Sequence, residues 1–110
     1  GYPHWVVLDL GAKKHVEKIG LQQRQSTAMV KGVSLYGNNV TSAPADESMW
    51  TLCYEFDMAN VKAEQIFELP DAVEFRYFKL IFTSPAGVGA DNACAAVAEL
   101  NFYGSDVADQ

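Results

Sequence analysis

Arg24 closes the alternating run VEKIGLQQR (16–24) and opens the polar stretch QSTAMVKG (25–32). A guanidinium placed there stands at the rim of a fold, where five donors in fixed geometry suit adjacent hydroxyls or a carboxylate. The plain alternative is a solvated surface arginine. A second polar group lies in SPAGVGADNACA (84–95), where glycines let backbone come close to a ligand and Asp91 and Asn92 offer hydrogen-bond acceptors and donors. Tyr2, His4 and Trp5 are the N-terminal candidates for polar or aromatic contacts, with Trp5 expected to pack on the core. Glu99 lies among the apolar residues Ala98, Leu100 and Phe102, so its carboxylate needs a basic partner or a metal.

Signs of catalysis are lacking. His4 and His15 are far apart in sequence, no serine sits in a nucleophile-elbow context, and neither HExxH nor a phosphate-binding glycine loop occurs. Asp46 and Glu47 adjoin in a loop and read as solvation. Cys53 and Cys94 fit neither CxxC nor Cys/His ligand spacing. Cys53 reads as a small buried hydrophobe, and a bond to Cys94 stays open, because two cysteines alone say nothing of their separation. The expectation is a chain that binds rather than reacts.

The elements that must carry these groups have a period of two. Val6, Leu8 and Leu10 share a parity, as do Ile19 and Leu21, Val33 and Leu35, and Trp50, Leu52, Tyr54 and Phe56. EQIFEL (64–69), FRYFKLIFTS (75–84) and ACAAVAELNFYG (93–104) complete seven short strands, separated by turn signals at Gly11, GNN (37–39), SAPAD (42–46), LPD (69–71) and the long 84–92 loop. The pattern predicts an all-β antiparallel sandwich or barrel. Strand 75–84 is apolar on both faces and therefore central, with Arg76 and Lys79 expected to snorkel at the sheet's edge. Residues 57–65 have room for a helical turn. One domain is expected over 1–104, with 105–110 as a tail or linker.

A chain of 110 residues supports one core, and 49% hydrophobic with 20% charged residues is the profile of a packed domain. The net charge of −6 and a pI near 4.7 disfavour nucleic acid and anionic membranes as partners. KKHVEK (13–18) is the only basic cluster, and Glu17 balances it in part. No apolar run reaches membrane-helix length and no leader peptide opens the chain, although Gly1 followed at once by a strand suggests a piece of something longer.

Six blocks in order, YPHWVVLDLG, VEKIGLQQR, VKGVSLYGNN, MWTL, FRYFKLIFTS and AAVAELNFYG, resemble the discoidin domain, also called the factor V/VIII type C domain. Its bacterial sugar-binding relatives form carbohydrate-binding module family 32. The resemblance implies a jelly-roll β-sandwich of the galactose-binding domain-like kind, with the first strand missing or shortened. A sandwich so opened has an unpaired edge that another chain can join.

The resemblance further implies that Arg24 contacts the sugar, although Met29 stands where the family usually has an amide, and the 84–95 loop lacks the family's stacking aromatic. It implies that the carbonyl of Ala98 and the carboxylate of Glu99 belong to a structural calcium site whose other ligands come from a front segment. Calcium takes six to eight oxygens, so a complete site is not expected here. The function implied is a non-catalytic carbohydrate-binding module of a secreted, periplasmic or surface glycan-processing protein, with a glycan or glycoprotein as partner. The alternatives are a lipid- or protein-binding adhesion domain, with Met29, Val30 and Lys31 as its apolar tip, and a structural spacer.

Overall fold

The structure, a computed structural model, describes residues 4–23, 30–44, 46–59, 61, 63–85 and 97–107, with backbone alone at 4, 23, 30, 84, 85 and 97–99. The alternating segments form β1 (His4–Gln23), β2 (Val30–Asn38), β3 (Thr51–Asp57), β4 (Gln65–Pro85) and β5 (Val97–Asp106). Their order is β3-β2-β4-β1-β5, and every pairing is antiparallel.

Among the described residues five strands therefore replace the seven expected, because two of the apparent turns are bends inside long strands. Pairing of β1 with β4 stops at Asp9↔Tyr77 and resumes at Lys14↔Phe75, so residues 10–13 stand against residue 76 alone. Gly11 takes φ +84° there, and its N–H donates to Asp9 Oδ1 at 2.8 Å. Further along, Val16↔Val73 is followed by Lys18↔Glu68, which puts residues 69–72 of β4 against residue 17. Bulges of this kind bend and twist a strand without ending its ladder.

Each long strand thereby serves two layers. β2 and β3 continue from the 77–85 half of β4, whereas β5 pairs only with the 14–23 half of β1. The result is a four-stranded layer facing a three-stranded one, built from one hydrogen-bonded sheet. Aromatic rings show the closure: Phe56 of β3 stacks on Phe67 of β4 with centroids 4.1 Å apart, and Phe78 of β4 meets Phe102 of β5 at 4.7 Å, yet neither strand pair is hydrogen-bonded. Ile19, Leu21, Leu35, Phe78 and Leu80 fill the space between. This is the jelly-roll sandwich that the alternation and the resemblance predict. Among the described residues, the 4–9 half of β1 has β4 on one side and no strand on the other.

Smaller differences have local causes. Leu35 faces Tyr54 while Tyr36 faces Leu52, so Cys53 is an extra residue that reverses the parity of β3. Leu52 turns outward, 49% exposed, as Tyr54 and Phe56 stay inward. Cys53 is a free thiol against the core, and burial pushes its pKa up to about 11. The helical turn among the described residues is a 3₁₀ turn at Glu47–Met49, capped by Asp46, and not one within 57–65. β5 runs on to Asp106, whose carboxylate pairs with Lys14, so the sandwich extends past residue 104.

Arg76, expected to snorkel, instead clasps the first bend. Its Nε and Nη2 donate to Asp9 Oδ1 and Oδ2 at 2.7 and 2.9 Å. Asn39 ties the same corner by accepting from the Arg76 N–H and donating to the Glu74 carbonyl. The Arg76 guanidinium, then the Gly11 N–H, hold the Asp9 carboxyl down at about 2. A carboxyl lowered in the folded state stabilises fully above its unfolded value of ~3.9 and loses that contribution as pH falls through the folded value. Stability measured from pH 6 to pH 2 should therefore fall less steeply in Asp9→Asn than in the parent, the two curves converging near the acid end. Parallel curves would show that the clasp contributes nothing.

Candidate functional site

Register gathers the strand ends of interest at one end of the sandwich. His4 lies opposite Phe82, Gln23 opposite Val97, Val30 opposite Pro85, Gly32 opposite Asp57, and Leu21 opposite Gln65. Segments 24–29 and 86–96 both start and finish at strand ends on this rim. Arg24, Asp91 and Asn92 belong to those segments and lie outside the described residues. His4 and Glu99 are placed by backbone on the same rim, Glu99 opposite Gln22. Ala98 falls at a register shift and has no cross-strand partner residue. Among the described residues no group of three or more His, Cys, Asp or Glu is set to hold a metal ion, and the Glu99 side chain lies outside them.

Beside this rim the outer face of the four-stranded layer opens into a pocket of about 480 Å³, lined by Gly32, Ser34, Glu55, Asp57 and Thr83. Glu55 and Asp57 project from alternate positions of β3, and Ser34 Oγ donates to Glu55 Oε2 at 3.2 Å. Carboxylates and hydroxyls on a rigid sheet can hydrogen-bond a polyol from several sides. The described histidine side chain, His15, is at the far end, 3.2 Å from Glu74 and 3.5 Å from Glu17. Glu55 and Asp57 share the polar parity of their strand, the signal by which sequence alone could have found them.

A second group lies further along the same face. Trp5 is not packed on the core but is 62% exposed, because it has the opposite parity to Val6, Leu8 and Leu10 and pairs with Ile81 on the outer side. Lys79 is not at an edge either; its side chain, 12% exposed, sits on the central strand. Its Nζ is 3.1 Å from Glu47 Oε1, 4.9 Å from the Trp5 ring centre and 6.0 Å from that of Trp50. The 3₁₀ turn thus brings Glu47 and Trp50 back over the sheet, so Glu47 is an ion-pair partner rather than simple solvation. Tyr36, Glu47, Trp50, Lys79 and Ile81 line a pocket of about 200 Å³.

The family model of the F5/8 type C domain matches residues 1–100. Among solved structures the chain is similar to the C-terminal domain of a chitobiase from Bacteroides fragilis, with 24% identity, 98% of this chain and 67% of that one covered, and a TM-score of 0.74. It is also similar to CpGH89CBM32-5 from Clostridium perfringens, solved in complex with GalNAc-β-1,3-galactose, with 16% identity, 93% and 66% covered, and a TM-score of 0.73. The family 32 carbohydrate-binding module of C. perfringens NanJ, in complex with galactose, gives 17% identity, 92% and 66% covered, and a TM-score of 0.72. At these identities the likeness establishes the fold, and the chain spans about two thirds of the length of these structures. None of the curated proteins matches the chain.

Proposed function

The chain belongs to the F5/8 type C domain family, and we propose that it is a non-catalytic glycan-binding module whose ligand sits on the rim where segments 24–29 and 86–96 meet the sandwich. The observation that carries this reading is the register, which anchors both segments, His4 and Glu99 around one end beside a pocket of hydroxyls and carboxylates. Solved structures of the same fold in complex with galactose and with GalNAc-β-1,3-galactose support it.

In this reading Arg24 donates to vicinal hydroxyls, Asp91 and Asn92 accept and donate from the facing loop, and His4 closes the side. Ala98 and Glu99 would serve a calcium site rather than the sugar contact. The module would serve a secreted or surface glycan-processing protein by holding it on its substrate, for which weak intrinsic affinity suffices because tethering raises effective concentration. Among the described residues one side of β1 residues 4–9 carries no strand, and a strand from another chain would pair there.

A glycan array followed by titration of the best sugar tests the assignment. Arg24→Ala should weaken binding at least tenfold, equivalent to about 1.4 kcal/mol, with an unchanged melting temperature. Equal affinity in the variant and the parent would remove Arg24 from the site.

A further inference from the structure

We propose that the outer face of the four-stranded layer is a second glycan-contact site, centred on Trp5 and the Lys79–Glu47 pair, which takes a neutral hexopyranose unit further along a chain whose first unit is held at the rim. The proposal rests on the glycan-binding reading and extends it from a single sugar to a chain.

The first ground is continuity. Cross-strand register gives one row Trp5–Ile81–Ser34–Glu55 and the next Val7–Lys79–Tyr36–Leu52. Ser34 lines the polar pocket at the rim, and its neighbour Ile81 lines the aromatic one. Successive outward residues on a strand are about 7 Å apart. The two pockets therefore lie end to end on one face, within the reach of adjoining sugars.

Chemistry is the second ground. A pyranose has an apolar C–H face and a polar rim, and this part of the face offers the same division: Tyr36, Trp50 and Ile81 line the pocket, the exposed Trp5 ring stands next to it, 4.9 Å from Lys79 Nζ, and an ammonium and a carboxylate lie 3.1 Å apart. An indole left 62% exposed has a face to spare for stacking. At about 200 Å³ the pocket falls below the roughly 300–1,000 Å³ of drug-sized sites and suits one ring.

Charge selects the sugar. Glu47 neutralises Lys79, and the chain carries −6 overall, so an anionic sugar gains nothing here. This face should prefer neutral chains even if the rim arginine accepts acidic ones.

The test titrates the parent, Trp5→Ala and Arg24→Ala with galactose, glucose, mannose and N-acetylglucosamine and with a neutral tetrasaccharide built from each. For the sugar that binds, the parent should hold the tetrasaccharide roughly tenfold more tightly than the monosaccharide. Trp5→Ala should lose that increment while keeping monosaccharide affinity and the parent's melting temperature. Arg24→Ala should lose the monosaccharide and retain weak tetrasaccharide binding, read as a change in tryptophan fluorescence. A parent without the increment, or a Trp5→Ala variant that keeps it, overturns the outer-face site while Arg24-dependent monosaccharide binding leaves the rim intact. Self-association of the parent, abolished by Trp5→Ala with glycan affinities unaltered, would assign the face to protein contact and equally overturn the proposal. Failure of every sugar at either length brings down the glycan reading itself, and this extension with it.

Discussion

Gly104→Ala should cost the fold about 3 kcal/mol, read as a lowered midpoint of urea unfolding. Gly104 lies on β5 opposite Val16, and a Cβ added there would stand 1.7 Å from the His15 carbonyl oxygen, 2.8 Å from its carbon and 3.0 Å from Val16 Cα. All three are backbone atoms. They belong to a stretch of β1 paired on both sides, since His15 faces Glu74 on β4 and Ser105 on β5, so the backbone cannot retreat without breaking a ladder. Two other glycines make the contrast clear: a Cβ at Gly20 first meets the Glu64 carboxylate at 2.3 Å, and one at Gly37 meets the Phe75 ring at 2.5 Å. Those are side chains that can swing aside. Gly104 does not have a positive φ, so on conformational entropy alone alanine would stabilise it by ~0.4–1 kcal/mol. The two expectations differ in sign. An unchanged or raised midpoint would mean that β5 is not clamped against β1 at this point.

The two-residue period made most of the core legible, because a sheet buried on one face fixes which parity points inward. Val33 with Leu35, Ile19 with Leu21, and Phe78, Leu80 and Phe82 all face the interior as their alternation requires. The same rule contains the exposure of Trp5, against the general preference of tryptophan for burial. Strand count was less legible. Gly11 and LPD (69–71) signal a reversal and a bulge equally well, and only pairing with a strand more than fifty residues away decides between them. Lys79–Glu47 and Arg76–Asp9 are separated by 32 and 67 residues, so their charges looked isolated until the chain was folded. For the rim, sequence placed Arg24 at the end of a strand and Asp91 and Asn92 in a connecting segment. That both segments are anchored at the same end is a consequence of register, which no local pattern contains.

Phe78→Ala is expected to cost about 4 kcal/mol, the upper part of the large-to-small range and a substantial share of the 5–15 kcal/mol that stabilises a domain. Phe78 is fully buried on the central strand beside the first bend, edge-on to Phe75 at 6.0 Å within its own strand and tilted against Phe102 across the layers at 4.7 Å. Removing the ring opens a void between two layers. These are joined through the same long strands and held apart by neighbouring rings, which limits collapse and keeps the cavity term large. Phe78→Leu, which keeps most of the volume but loses the ring contacts, should cost less than half as much. Urea midpoints of the two variants separate the contributions: a large loss only in alanine reports the cavity, whereas similar losses report the aromatic contact. The result also bears on the sandwich itself, since one hydrogen-bonded sheet could in principle lie open. In an open sheet Phe78 would face solvent on the side of Phe102, and its truncation would cost less than about 1 kcal/mol. A loss that small would show that the bends at 10–13 and 69–72 do not close the layers, and the rim assembled by that closure would then have no basis.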